Sequence, residues 1–377
     1  MSQMILPRTF PHAMLREIYE QPEALSATIE RYAPLGSLDP EAFPNIAEIL
    51  GGRQRLVIAA SGSSRHAGLA GEIMLEDYAG LAVDVEYASE YCYRSTHTLH
   101  DPGVLVISQS GETADTLAAL REARARGLAT VAITNNAAST MAREADSSLP
   151  TIAGKEKAIP ATKSFTTQLT VLYLLTLYLA RLVGRMTPQA VSMHLERLKR
   201  LPQQLEDSLA AWENQVNEIA KHLRSAKGFL FLGRAIHYPI AREGALKLKE
   251  SAYMQAEGYP VGELKHGPNA LVSADAPLVV LATFDKDDPD SVLRYQKTLQ
   301  LMRDMQAQGA TIFSVITEGD QEAAKLSRYS VSVPAVDEFL LPLLEVVPLQ
   351  LFAYFTAILN GVNVDSPRNL VKAVVTE

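Results

Sequence analysis

Short apolar runs, each followed by a polar turn and an amphipathic segment, recur along this chain. The runs are rich in Val and Ile, which is typical of strands buried on both faces. Alternation of such strands with helical patterns predicts a parallel sheet with helices packed on it. The predicted strands are 55–60, 104–107, 130–133, 228–232, 278–281 and 311–316, and a helical stretch at 15–32 precedes them.

The same order of strands occurs twice, which indicates an internal duplication. A polar helical stretch without strand signals separates the two sets. The fold class is therefore α/β, with two tandem domains that each contain a parallel sheet flanked by helices. The predicted divisions are an N-terminal helical segment (1–45), a first domain (46–187), a helical linker (188–224), a second domain (225–364) and a C-terminal tail (365–377).

Two hydroxyl-rich segments follow the first two predicted strands of the first half. Ligands of parallel α/β sheets bind beyond the carboxyl ends of the strands, and hydroxyls with helix N-termini can hold a phosphate without a lysine. Each segment alone could equally supply helix caps and turns, but two of them one unit apart favour a phosphate site. The predicted site comprises Ser61, Gly62, Ser63, Ser64, Ser108, Gln109, Ser110 and Thr113.

The second half differs at the equivalent place. Its second predicted strand is followed by Asp285, Asp287 and Asp288, whose carboxylates would repel a phosphate. We therefore expect only the first half to bind an anion.

Composition narrows the class of protein further. The 377 residues are 47% hydrophobic and 21% charged, with a net charge of −8, so nucleic acid is not an expected partner. One cysteine, Cys92, fits a reducing compartment, and no signal peptide is visible at the N-terminus. The longest apolar run, 169–182, contains Arg181 and is shorter than the ~20 residues of a membrane span. These features predict a cytoplasmic protein with no membrane partner.

Three charged residues are spaced to share one helical face. Glu243, Lys247 and Glu250 lie at positions i, i+4 and i+7. The alternative is a solvated face with a weak Glu–Lys pair. Aldose–ketose exchange, however, needs a base near C1 and C2 and a cation for the enediolate, and this face supplies both.

Histidines and a C-terminal lysine are further candidates. His266 precedes Gly267 and could be a structural residue of a turn or a proton carrier near neutral pH. Lys372 would be an ordinary surface charge unless the tail packs into a site that desolvates it. His97 and His100 are three residues apart without a third ligand nearby, so we expect no metal site.

Five motifs together resemble the isomerase half of glucosamine-6-phosphate synthase. They are SQSGET (108–113), ATKSFTTQL (161–169), EGALKLKE (243–250), GELKHGP (262–268) and PRNLVK (367–372), and the similarity runs from 12 to 377. The resemblance implies two flavodoxin-like sugar-isomerase (SIS) domains and a homodimer with active sites shared between subunits. It also implies a sugar-phosphate substrate and no metal or nucleotide cofactor.

The resemblance assigns roles by motif. Ser64, Ser108, Gln109, Ser110 and Thr113 would hold the 6-phosphate. Glu250 would move the proton between C1 and C2, with Lys247 and Glu243 beside it. His266 would open the sugar ring from the neighbouring subunit, and Lys372 would form a Schiff base with the ketose, which makes 365–377 an active-site tail. Glu156, Ile159 and Thr162 would line the sugar.

Departures from the family affect the expected reaction. The synthases have a glutaminase nucleophile, a cysteine, next to the initiator Met, whereas this sequence begins Met1-Ser2; Ser61 and the loop 155–160 also differ. Glutamine is therefore not the expected nitrogen donor. We expect conversion of glucosamine 6-phosphate to fructose 6-phosphate and ammonia, or the ammonia-dependent reverse. The alternatives are a hexose-6-phosphate ketose/aldose isomerase, a fructosamine-6-phosphate deglycase and a non-catalytic sugar-phosphate sensor.

Overall fold

The computed structural model describes residues 8–94 and 102–375, which contain two parallel five-stranded sheets. The strands are β1 (Arg55–Ala60), β2 (Ala82–Tyr87), β3 (Gly103–Ile107), β4 (Thr130–Thr134), β5 (Ser147–Pro150), β6 (Gly228–Gly233), β7 (Gln255–Pro260), β8 (Leu278–Ala282), β9 (Ile312–Thr317) and β10 (Tyr329–Val333). The first sheet has the strand order β2-β1-β3-β4-β5, and the second repeats this order as β7-β6-β8-β9-β10. The predicted duplication and fold class are confirmed.

All six strands predicted from the sequence are present, and their ends shift by at most one residue. The four strands that the sequence did not predict are β2, β5, β7 and β10, which are the edges of the two sheets. Edge strands have one exposed side and tolerate polar residues, as with Asp84 and Glu86 in β2 and Glu257 in β7. Their mixed composition hides them from a search for apolar runs.

Helices cover both faces of each sheet. In each half, one long helix follows the last strand of its sheet and is almost fully buried: α8 (Lys163–Leu182) in the first half and α13 (Leu341–Leu359) in the second. The helices are α1 (Ala13–Tyr19), α2 (Gln21–Tyr32), α3 (Ile46–Leu50), α4 (Gly62–Met74), α5 (Ala88–Tyr91), α6 (Ala114–Ala125), α7 (Thr140–Glu144), α8 (Lys163–Leu182), α9 (Pro188–His222), α10 (His237–Ala252), α11 (Pro289–Ala307), α12 (Gln321–Leu326) and α13 (Leu341–Leu359).

Two segments are long and apolar enough to span a membrane by length and composition. They are Lys163–Leu182 and Glu338–Leu359, and 83% and 100% of their most apolar windows are buried inside the protein. Helices buried to this extent by protein are typical of a globular core. The apolar run 169–182, which is shorter than a membrane span, lies within the first of these segments.

Helix α9 connects the two halves. Its buried leucines, among them Leu198, Leu205 and Leu209, recur at helical spacing and pack it against α2 and α13. One apolar core contains residues from α4 and α8 as well as from α10 and α13, so it extends through both halves. The predicted linker is thus one continuous helix, and the domain divisions stay a prediction.

Strand register determines where the polar segments lie. Ala60 and Ile107, the last residues of β1 and β3, are paired partners in adjacent parallel strands. Ser61 and Ser108 follow these residues and therefore leave the sheet side by side at its carboxyl edge. Glu243 and Glu250 approach from α10, which packs against α4.

Candidate functional site

A cleft of about 310 Å³ opens at the carboxyl edge of the first sheet. Residues from the first half, from α10 of the second half and from the C-terminal tail line it. The lining residues are Ser61, Gly62, Ser63, Ser64, Ile107, Ser108, Gln109, Ser110, Thr113, Thr116, Glu156, Ile159, Ala161, Leu246, Lys247, Glu250 and 370–374. Most of the residues singled out from the sequence therefore meet in one place.

The turn between β3 and α6 presents clustered hydroxyls to the cleft. The Oγ of Ser108 lies 2.9 Å from the Oγ1 of Thr113 and accepts the backbone N–H of Gly111 at 3.2 Å. Gly111 has φ +67°, and a Cβ there would lie 2.1 Å from the Oγ of Ser139, so only glycine fits. The Oγ of Ser110 accepts the N–H of Glu112 at 3.1 Å. Because its oxygen accepts, Ser110 keeps its O–H free to donate to an anion, whereas one O–H of the Ser108–Thr113 pair is used within the pair.

The segment after β1 forms the opposite side of the cleft at the N-terminus of α4. Gly62 has φ +53° with open space around it, so a ligand can approach the backbone closely. The Oγ of Ser64 accepts the Nε2–H of Gln168 at 3.0 Å, whereas Ser63 donates its O–H to Glu243 at 2.8 Å. Backbone N–H groups and the positive end of the helix dipole also point to this side.

The charged face of α10 is buried, so the solvated alternative is wrong. The side chains of Glu243 and Lys247 are 0% exposed, and the ammonium of Lys247 lies 3.3 Å from Glu243 and also donates to Glu250. Burial alone would lower the pKa of Lys247, but the two carboxylates raise it, so the ammonium stays charged. Burial raises the pKa of Glu250 above that of an ordinary glutamate. Lys247 and Glu250 line the cleft, while Glu243 lies behind them.

His66 is a functional candidate that the sequence did not reveal. Its Nδ1 lies 2.8 Å from the Oε2 of Glu243, and its side chain is buried. Burial lowers the pKa of His66, which favours a neutral imidazole that donates its Nδ1–H. The available signal was weak: His66 is three residues after Ser63, on the same face of α4.

The tail brings Lys372 into the cleft. Its Nζ donates to the Oε2 of Glu156 at 2.6 Å and to the backbone carbonyl of Ala158 at 2.7 Å. The carbonyl of Val374 accepts the first N–H of α6, from Ala114, at 2.9 Å. The tail is therefore packed, which the sequence required for any covalent role of Lys372.

The loop between β5 and α8 holds Glu156. Burial alone would raise the pKa of Glu156, but Lys372 and the hydrogen bonds from Ser164 and Thr162 lower it. The backbone N–H of Thr162 donates to Glu156 at 3.0 Å. Thr162 itself is fully buried, so it supports Glu156 from behind, while Ile159 reaches the cleft.

Two groups of candidates lie elsewhere. His266 is exposed and does not line the cleft of its own chain. His97 and His100 lie outside the described residues. Within 8–94 and 102–375, no group of three or more His, Cys, Asp or Glu residues is arranged to hold a metal ion.

The second half has a cleft of about 340 Å³ at the carboxyl edge of its own sheet, lined in part by Asp285, Asp287 and Asp337. Beside it lies a buried cluster around His237, the first residue of α10. Its Nδ1 lies 2.7 Å from Glu345 and its Nε2 3.3 Å from Glu338. These carboxylates also accept hydroxyls from Thr283, after β8, and from Ser291, in the first turn of α11. Protein carboxylates thus occupy the region beyond β6 and β8.

Comparison with known proteins gives consistent matches. Residues 49–178 and 222–360 match the SIS domain. The chain is 40% identical over 375 residues to glutamine–fructose-6-phosphate aminotransferase [isomerizing] of Chlorobaculum tepidum, covering 98% of this chain and 59% of that protein. It is 42% identical over 371 residues to the same-named protein of Bordetella parapertussis, again covering 59% of it. The chain thus spans less than two thirds of these relatives.

Solved structures agree with the sequence comparison. The C-terminal domain of glucosamine-fructose-6-phosphate aminotransferase from Francisella tularensis superposes with a TM-score of 0.89 and 36% identity, over 95% of this chain and 98% of that domain. A glucosamine-6-phosphate deaminase from Thermotoga maritima shares the fold, with a TM-score of 0.73 and 23% identity over 96% and 99% of the two chains. This chain therefore belongs to the SIS domain family and is similar to the isomerase part of the glutamine–fructose-6-phosphate aminotransferases.

Proposed function

We propose that this protein is a hexosamine 6-phosphate isomerase that converts glucosamine 6-phosphate and water to fructose 6-phosphate and ammonia. The observation that carries the proposal is that one cleft contains the hydroxyl-rich segments 61–64 and 108–113, here called the anion clamp, together with the Lys247–Glu250 pair and Lys372. The names of its aminotransferase relatives support a substrate at the glucosamine and fructose 6-phosphate level. The name of the Thermotoga maritima structure matches the deaminating direction.

Phosphate binding comes first in the proposed mechanism. The hydroxyls of Ser64, Ser108, Ser110 and Thr113, together with the N-termini of α4 and α6, would hold the 6-phosphate. His266 of a neighbouring subunit would open the ring by moving a proton between O1 and O5. The exposed position of His266 is compatible with a contribution to a second chain's site.

Proton transfer follows. Glu250 would take the proton from C2 of the open-chain amino aldose and return it to C1, which yields a 2-imino sugar. The charged ammonium of Lys247 would stabilise the negative charge that develops on O1. The raised pKa of Glu250 suits a base that must also give its proton back.

Release of nitrogen completes the reaction. The amine of Lys372, after loss of a proton, would attack C2 of the imino sugar and displace ammonia, so that a lysine Schiff base forms. Water then adds to C2, and fructose 6-phosphate leaves with regeneration of the lysine. Glu156 and the carbonyl of Ala158 hold the Nζ of Lys372 in the cleft.

The proposed activity also implies a compartment and an oligomeric state. We infer a cytoplasmic homodimer with shared sites, since the proposed role of His266 requires a second chain. The acidic charge of −8 fits a partner set limited to small molecules and a second copy of the chain.

The test is a product assay with the purified 377-residue chain. Glucosamine 6-phosphate should yield equimolar ammonia and fructose 6-phosphate. In the reverse arm, ammonium but not glutamine should support amination of fructose 6-phosphate. Conversion of other ketose and aldose 6-phosphates without ammonia would identify a plain isomerase, and turnover of fructosamine 6-phosphate to glucose 6-phosphate would identify a deglycase. Binding without turnover of any of these sugars would identify a sensor.

A further inference from the structure

The carboxylate of Glu243 is buried behind the cleft and is held by the other half of the molecule. Its Oε1 accepts the hydroxyl of Ser63 at 2.8 Å, and its Oε2 lies 2.8 Å from the Nδ1 of His66. Both partners are on α4, whereas Glu243 is on α10. Helix α4, which begins at the anion clamp, is therefore hydrogen-bonded to α10, the helix that carries the proposed base Glu250.

Ser63 and Ser64 are neighbours with opposite hydrogen-bonding states. A serine hydroxyl can donate one hydrogen bond, and Ser63 donates its hydrogen bond to Glu243. Ser64 uses its oxygen to accept from Gln168, so its proton stays available for a ligand in the cleft. Although the sequence assigned both residues to phosphate binding, only Ser64 has a free donor in this arrangement.

Lys247 lies between the buried carboxylate and the cleft. Its side chain is 0% exposed and contacts Glu243 on one side and Glu250 on the other. The ammonium is therefore held between two carboxylates, of which Glu243 is the one that α4 anchors. Loss of its support from α4 would let Glu243 turn and carry Lys247 with it.

We propose that Ser63 and His66 are positioning residues that hold Glu243, and through it Lys247, in the geometry that Glu250 needs for proton transfer. The inference deepens the proposed function and rests on it. It makes the turn after β1 bifunctional: Ser64 binds the substrate's phosphate, and Ser63 aligns the proton-transfer groups.

The adjacent serines provide a matched pair of variants. Ser63→Ala should lower kcat about 10- to 100-fold with KM changed less than about 2-fold, since a displacement of about 1 Å in a catalytic group can cost about 100-fold in rate. Ser64→Ala should instead raise KM about 10-fold or more, with a smaller effect on kcat. A rise in KM for Ser63→Ala equal to that for Ser64→Ala, with kcat unchanged, would overturn the proposal.

Substitutions of His66 test the positioning role independently of Ser63. His66→Asn keeps a side-chain N–H near the position of Nδ1 and should retain at least about 10-fold more kcat than His66→Ala, at equal KM. Thermal unfolding of each variant separates loss of fold from loss of rate. Equal kcat for the two variants, both folded, would contradict a positioning role.

Ligand binding distinguishes failure of this inference from failure of the proposed function. Calorimetric titration with fructose 6-phosphate needs no turnover: Ser63→Ala should bind it like the wild type, and Ser64→Ala at least about 10-fold more weakly. If the wild type turns over a different sugar phosphate, the same kcat and KM comparison on that sugar tests the inference while the proposed substrate is rejected. Equal loss of affinity in both serine variants would overturn it in either case.

Discussion

Single hydroxyls in the turn between β3 and α6 decide how the proposed phosphate site works. Ser108 is mostly buried and its hydroxyl contacts Thr113 and Gly111, so it organises the turn, and it lines the cleft together with Ser110 and Thr113. An uncharged clamp of this kind depends on several donors, each of modest strength, in place of one lysine. Loss of two of these donors should therefore weaken phosphate binding by the sum of the two lost hydrogen bonds.

We predict that Ser110→Ala combined with Thr113→Ala raises KM for a 6-phosphorylated sugar at least about tenfold. Each lost hydrogen bond to a charged group is worth about 1.5–3 kcal/mol. Steady-state kinetics measure the change, and Thr113→Ser, which keeps the hydroxyl, is the control that should stay near the wild type. An unchanged KM in the double variant would remove the phosphate assignment from this turn.

At the scale of secondary structure, the sequence predicted the central strands and missed the edges for one physical reason. Central parallel strands are covered on both faces and must be apolar throughout, as β3 and β8 are, whereas edge strands such as β2 accept acidic residues. The residues of the candidate site likewise fall into those that the sequence predicted and those that it missed. Contiguous motifs predicted the cleft-lining residues, but contacts between distant segments, such as His66 with Glu243, leave no spacing pattern.

The cluster at the start of α10 predicts a pH dependence of stability. Burial alone would lower the pKa of His237, but Glu345 and Glu338 raise it to about 10. For the carboxyl of Glu338 the directions are reversed: burial alone would raise its pKa, but His237, Ser291 and Arg294 lower it to about 2. A raised histidine pKa stabilises the folded state fully below the unfolded value of about 6.5 and less as pH rises through 10. The lowered pKa of Glu338 stabilises the folded state fully above the unfolded pKa of about 4.5, and this stabilisation is lost as the pH falls toward 2.

We therefore expect the free energy of unfolding to fall between pH 6.5 and 10, measured by denaturant titration. His237→Gln should be less stable at pH 6 and should lose that part of the slope. Nuclear magnetic resonance of the wild type gives a second measurement, in which the His237 ring should stay protonated at pH 8. A neutral ring at pH 8 would contradict the ion-pair assignment.

For the whole molecule, the proposed active site needs more than one chain. The cleft contains Glu250 and Lys372 of its own chain, whereas His266 is exposed and outside it. The motifs singled out all three residues, and the resemblance implied that His266 comes from the neighbouring subunit. Which of these residues share a cleft depends on folding and assembly together.

Mixing two inactive variants should restore activity if the sites are shared. Glu250→Gln should lose about 10²–10⁴-fold in rate, because an amide cannot accept the proton, and His266→Ala should fail in ring opening. Random pairing gives half heterodimers with one intact site of two, so activity should return to about a quarter of the wild type. Mass spectrometry checks subunit exchange, and exchange without recovered activity would place both residues in one chain or reject one of them.

The buried carboxylates beyond β6 and β8 also have a thermodynamic consequence. A free ligand stabilises a fold by RT ln(1 + [L]/Kd), so its effect depends on its concentration. Glu338 and Glu345 are part of the chain and cannot dissociate, so their contacts with His237 do not depend on the concentration of any ligand. Substrate should therefore slow hydrogen exchange in α4 and α6 as its concentration rises, while α11 exchanges at the same rate throughout the titration.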